Sequence, residues 1–214
     1  MPKPAGPAQS DDVVRIRHLE AMGDALGARY HELSTQLAWV HVRWLTHRQL
    51  FGTSRERFDL LNQVAPFFFH MLQQWLWEDL ILDIARLIDS PTSGKKANLS
   101  LNGLPPLVSD PALRSDVEAA LVVAGEECAF ARDWRNRQLA HRDLQLVLSD
   151  DAQPLPPAEV AHVERALESL RQVLNLVAVG YDQPPEMYEL VNFGDCDIEN
   201  LVDCLGRGVR SPEV

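Results

Sequence analysis

The sequence is poor in the residues from which metal centres, covalent cross-links and phosphate-binding loops are built. Its three cysteines, Cys128, Cys196 and Cys204, stand at no metal-ligand spacing, and any disulfide would leave one unpaired. Cys128 lies in an apolar helical stretch and reads as a buried thiol, which points to a reducing compartment. A Gly-rich phosphate loop, a Walker motif, a zinc-ligand set, a nucleophile elbow and a DNA-specific motif are all missing. Positive charge is scarce too: 20 Lys and Arg face 31 Asp and Glu, for a net charge of −11. That balance argues against a protein coated in nucleic acid, because phosphate binding depends on clustered Lys and Arg. A small basic pocket on an acidic body remains compatible with it.

Long uninterrupted apolar runs are also lacking. The most hydrophobic stretch, 64–88, is broken by His70, Gln73, Gln74, Glu78, Asp79 and Asp83. A membrane span needs about 20 predominantly apolar residues, so this stretch is expected to be a core helix and no membrane partner is expected. Residues 1–10 are rich in Pro and Ala without an apolar signal core and read as a disordered tail. A cytoplasmic location follows as the expectation. Sustained strand alternation occurs nowhere; the nearest candidate, 144–148, is short.

What the chain does have is helical periodicity and apolar mass. Its 214 residues, 46% of them apolar and five of them Trp, suffice for a substantial core. From residue 11 to about 50, apolar side chains return every three to four positions, as at Leu33, Leu37, Val40 and Trp44. Gly23 and Gly27 weaken the first part, predicting two helices or one bent helix, with a helical arm over about 11–31. Gly52 is a stop signal, and Ser54 is a possible N-cap for a helix from about 55 to 88. Pro66 should kink that helix or restart it. A connecting loop is expected over 95–110, then a helix from Pro111, capped by Asp110, to the region of His141. A second loop over 144–157, a long helix over about 158–179, a break at 181–185 and a short last helix over about 198–205 complete the reading. The fold class is therefore all-α, an up-and-down bundle of four to five main helices with a short C-terminal helix. One domain is expected over 11–206, followed by a flexible C-terminus over 207–214.

Positive charge clusters in one segment, RDWRNRQLAHRDL over residues 132–144. Arg132, Arg135, Arg137 and Arg142 surround His141 there, with Asp133 and Asp143 among them. Guanidinium groups suit phosphate because their donors are planar and permanently charged. Histidine titrates near neutrality and can pass protons. Together they equip the segment to cleave RNA without a metal. On a regular helix, at about 100° per residue, Arg137 shares a face with His141, whereas Arg135 lies about 120° away. Spacing alone thus favours Arg137 as the neighbour of His141. The competing reading is that the arginines form surface ion pairs and His141 sits against the negative end of the helix dipole.

The string from Arg135 to His141 resembles the motif of HEPN domains, an arginine followed by a polar residue and then, some residues later, a histidine. The wider context, with ILDIARLIDSPTSGKKANLSL at 81–101 ahead of the motif, is similar to the AbiU-like, abortive-infection branch, over about residues 25–205. The resemblance implies a helical bundle that dimerises with two motif copies facing each other across a cleft. It implies Arg135 and His141 as the catalytic pair, Asn136 as the accompanying polar residue, and an endoribonuclease in a toxin or phage-defence setting. Arg132, Arg137 and Arg142 would be supporting RNA contacts. The partners it implies are RNA, a second copy of the chain, and an antitoxin or nucleotidyltransferase protein. No cofactor is expected. Some HEPN toxins carry a regulatory tyrosine two residues after the histidine; here that position is Asp143. The alternative is a non-catalytic HEPN-like dimer that binds a partner protein or a nucleotide.

Other clusters are thinner. His70, Gln74 and Glu78 share one helix face and Asp79 and Asp83 another, but no second Glu-x-x-His element exists to complete a two-metal site, so no metal is expected. Asp83 or Asp79 is expected to be a partly buried partner for an arginine such as Arg86 or Arg135. His31, His41, His47 and His162 read as ordinary histidines, and Trp44, Trp75, Trp77 and Trp134 as core or dimer-interface packing.

Overall fold

A computed structural model describes residues 11–139, 158–188 and 197–210. The expected tail over 1–10, the loop over 144–157 and Cys196 lie outside the described residues. The protein is an all-α helical bundle. Its chain forms two compact units, one of Met1–Leu37, Arg86–Glu127 and Glu168–Glu186, the other of Ala38–Ala85, Cys128–Leu167 and Met187–Val214.

In the first unit, α1 (Asp11–Met22) ends at Gly23, whose φ of 77° lies in the left-handed region that glycine enters without penalty. The next helix, α2 (Asp24–Phe51), starts immediately, so the chain breaks where Gly23 suggested it would. Gly27 is required for a different reason: a Cβ there would fall on the backbone carbonyl of His18. The close approach buries His18 against Tyr30, edge to face at 4.8 Å, with His31 at 5.6 Å. A small antiparallel hairpin, β1 (Thr92–Ser93) and β2 (Lys96–Ala97), turns at Gly94 and pairs Thr92 with Ala97. Two 3-10 turns, Leu101–Gly103 and Pro105–Leu107, follow and bury Leu101 and Leu104. The connecting loop expected over 95–110 thus contains short regular elements. Asn102 donates to the carbonyls of Ile88 and Asp89 at 2.9 and 3.1 Å, satisfying backbone acceptors left where the preceding helix ends. Helix α5 (Pro111–Glu127) opens with Asp110 accepting from the Ala112 N–H at 2.9 Å and Pro at the first helical position.

In the second unit, Ser54 accepts from the Arg57 N–H at 3.2 Å and caps α3 (Arg55–Val64). Pro66 restarts the helix rather than bending it. Ala65 takes an extended φ of −155°, because a residue before proline is pushed out of the helical region, and α4 (Pro66–Leu87) begins at the proline. Asp83 is buried, as expected of one of the two carboxylates, and bonds the Arg43 guanidinium of α2 at 2.6 Å, an arginine other than the Arg86 or Arg135 named from the sequence. The buried Cys128 separates α5 from α6 (Ala129–Trp134). Helix α7 (Val160–Gly180) begins in this unit, burying Val163, Ala166 and Leu167, and its residues from Glu168 on belong to the first, where Leu170, Val173, Leu174 and Val177 are buried. It ends before Asp182, whose φ is 56°. The last helix, α8 (Asp197–Arg210), packs Ile198 and Leu205 against Leu50, Leu61 and Phe69. Arg57 ties it to α3 through Glu199 at 2.7 Å. It runs past Gly206 and Gly208, beyond the end expected near Leu205 and into the stretch read as a flexible C-terminus, because an apolar face with a partner outweighs two weak helix formers. Among the described residues no helix is long and apolar enough to cross a membrane.

Candidate functional site

The arginine-rich segment begins on α6. Phe130 and Ala131 anchor that helix in the core, and Phe130 meets the His162 ring of α7 at 5.8 Å. Burying those two side chains leaves the following polar residues nearer the surface: Arg132, Trp134, Arg135 and Arg137 are half-buried, and Asn136 and Gln138 are exposed. After Trp134 the helix widens into a π-helical turn over Arg135–Leu139. Such turns bond i to i+5, hold more residues per turn than an α-helix and recur at functional sites.

The widening bears directly on the angular argument. The expectation that Arg137 lies closer than Arg135 to the phase of His141 assumed a regular step of about 100° per residue. A π-helical turn has a smaller step, which turns Arg135 further from that phase and leaves the preference for Arg137 in place. Arg135 Nε donates to Asn136 Oδ1 at 3.0 Å. Arg137 reaches back one turn to Asp133 at 3.5 Å. The structure therefore brings Arg135 and Asn136 together and sets Arg137 in an ion pair, which is the surface pairing that the competing reading expected of the arginines. Asp133 balances part of the positive charge locally. His141, Arg142 and Asp143 lie outside the described residues.

The thinner candidates separate by burial. His70, Gln74, Glu78 and Asp79 are exposed, whereas Asp83 is committed to Arg43. Among the described residues no three His, Cys, Asp or Glu side chains are gathered as a metal site would require. Trp44 is core at 4% exposure, but Trp75 is 54% exposed, so the tryptophans do not share one role. Sequence reasoning passed over His18. It is 2% exposed, with Nδ1 buried and unpartnered, and its pKa is lowered to about 4 by burial first, then by the charges of Arg17 and His31. Its only sequence signal is indirect, a glycine nine residues later that admits the crossing of α1 over α2.

An all-α helical bundle is the fold expected of the HEPN superfamily. The AbiU2 family model of that superfamily matches residues 23–197, and the chain belongs to this family. Neither a curated protein nor a solved structure matches it. The matched range contains the whole segment from Arg132 to Asp143 and begins just after α1.

Proposed function

We propose that the protein is a metal-independent endoribonuclease of the abortive-infection type, with Arg135 and His141 as its catalytic pair. The observation that carries the reading is the Arg135–Asn136 contact on the π-helical turn, inside the range that matches the family. Asn136 occupies one guanidinium N–H and so restrains the side chain, which favours a fixed site for phosphate over a freely moving surface charge. In this mechanism neutral His141 takes the proton of an RNA 2′-OH. The 2′-oxygen attacks the adjacent phosphorus, and the P–O5′ bond breaks. The leaving 5′-oxygen recovers a proton from the imidazolium, and the product ends in a 2′,3′-cyclic phosphate. Arg135 stabilises the charge that gathers on the phosphoryl oxygens, and Asn136, Arg137, Arg132 and Arg142 support binding. Every proton and counter-charge comes from a side chain, so no metal enters. Two copies of the chain would form the working cleft, with a partner protein restraining it until infection.

Purified protein incubated with total RNA in EDTA tests this, alongside Arg135→Ala and His141→Ala. Cleavage by wild type and loss of at least about 100-fold in each variant is expected; equal cleavage by all three removes both residues from the mechanism. The net charge of −11 favours a second reading, a non-catalytic dimer that binds a partner protein or a nucleotide. An unchanged RNA profile and normal growth on overexpression select it.

A further inference from the structure

A groove of about 850 Å³ opens between α2, α4 and the first turns of α7, in the unit that also carries α6. That volume falls within the range of small-ligand sites. Its back wall is aromatic. His47 stacks on Trp44 nearly parallel, 8° between planes at 5.9 Å, and meets Trp77 at 5.4 Å. Trp44 is core, so the wall is anchored, and His47 and Trp77 present their rings to the opening. Burial lowers the His47 pKa, which keeps that ring neutral at physiological pH.

The polar groups around the opening are His70, Gln73, Gln74, Glu159 and Glu164. Glu164 is neutralised by Arg48 at 2.5 Å. Glu159 stands beside the N-terminus of α7, where the helix dipole offsets a negative charge. Among the described residues no lysine or arginine lines the groove, which disfavours a phosphate there. Among the described residues the lining therefore combines the flat rings of His47 and Trp77 with hydrogen-bonding groups rich in acceptors. This is complementary to a planar, uncharged ring that carries amino donors on its edge.

We infer that this groove is a nucleobase-docking subsite, in which the base stacks on Trp77 and its amino edge is bound by Glu159 and the glutamines. The inference rests on the proposed RNA substrate and divides the work: the arginines of 132–137 take phosphate and the groove takes a base. Cytosine and adenine, with their exocyclic amines, are preferred to uracil. A cationic peptide is the rival occupant, disfavoured because Glu164 is paired with Arg48 and Glu159 is offset by a helix end.

The test is titration of the ¹⁵N-labelled protein with cytidine, adenosine and uridine, following the Trp77 indole N–H, which Trp77→Phe identifies. Shifts of that signal with cytidine and adenosine binding tighter than uridine are expected. Trp77→Leu should weaken cytidine about tenfold or more, and Glu159→Gln, at an exposed position, should reduce the preference over uridine. No shift with any nucleoside, or tighter binding of a short oligoarginine peptide than of cytidine, overturns the inference. Nucleoside binding at Trp77 without RNA cleavage leaves the subsite standing and defeats the nuclease reading. Cleavage that Trp77→Leu and Glu159→Gln leave unchanged for every sequence does the reverse.

Discussion

His18 and His47 are both pushed below the ordinary histidine pKa by burial, yet their surroundings differ in kind. His18 is sealed where α1 crosses α2 at Gly27, edge-on to Tyr30, and nothing from solvent can reach it. His47 belongs to an aromatic wall that faces an open groove. The same desolvation therefore marks a packing residue in one place and an accessible surface in the other. A lowered pKa identifies burial; access decides whether chemistry or recognition can use it.

Breaking the wall behind His47 should have the largest effect. Trp44→Ala removes a core ring and should cost about 3–5 kcal/mol in urea denaturation. In the same variant the His47 pKa, read from its ring proton by NMR, should rise toward 6.5 as water enters. On the sealed side, pH is the lever. The folded pKa of His18 lies near 4, below its unfolded value of 6.5, so the unfolded chain binds more protons between those two values. Stability from this group is complete above pH 6.5 and is lost as pH falls toward 4, by up to about 3 kcal/mol. His47 adds a slope of the same sign. His18→Leu should flatten most of the dependence, whereas His47→Leu should leave most of it. Gly27→Ala forces a methyl group onto the His18 carbonyl and should cost about 2 kcal/mol, with His18 becoming easier to protonate. At the other end of the scale, Ser54→Ala removes a cap far from either histidine. It should cost about 1 kcal/mol and leave both titrations unchanged.

Local chemistry made much of the architecture legible. Gly23, Ser54, Pro66, Asp110 and Pro111 each act through their own backbone or the next turn, and each marks a helix boundary where its chemistry requires. The hairpin at 92–97 escaped because two-residue strands are too short to show alternation. Contacts distant in sequence were equally hidden. Nothing near Asp83 names Arg43 as a partner 40 residues away, and nothing near His18 names Tyr30 or Gly27. At the candidate site, residue types and order were legible but geometry was not. A π-helical turn has no composition signature, and it alters the regular angular count without reversing the preference for Arg137. The Arg135–Asn136 bond joins adjacent residues, outside the three- and four-residue spacing that helical side-chain pairs follow.

The central claim is that Arg135 and His141 cleave RNA through its own 2′-oxygen. The most direct measurement is the chemistry of the ends that wild-type protein makes on a defined RNA in EDTA, compared with the same RNA carrying 2′-O-methyl groups. Upstream fragments ending in 2′,3′-cyclic phosphate, downstream fragments with free 5′-OH, and no cleavage of the methylated RNA are predicted. Upstream fragments with 3′-OH and downstream fragments with 5′-phosphate, or cleavage of the methylated RNA, would contradict it.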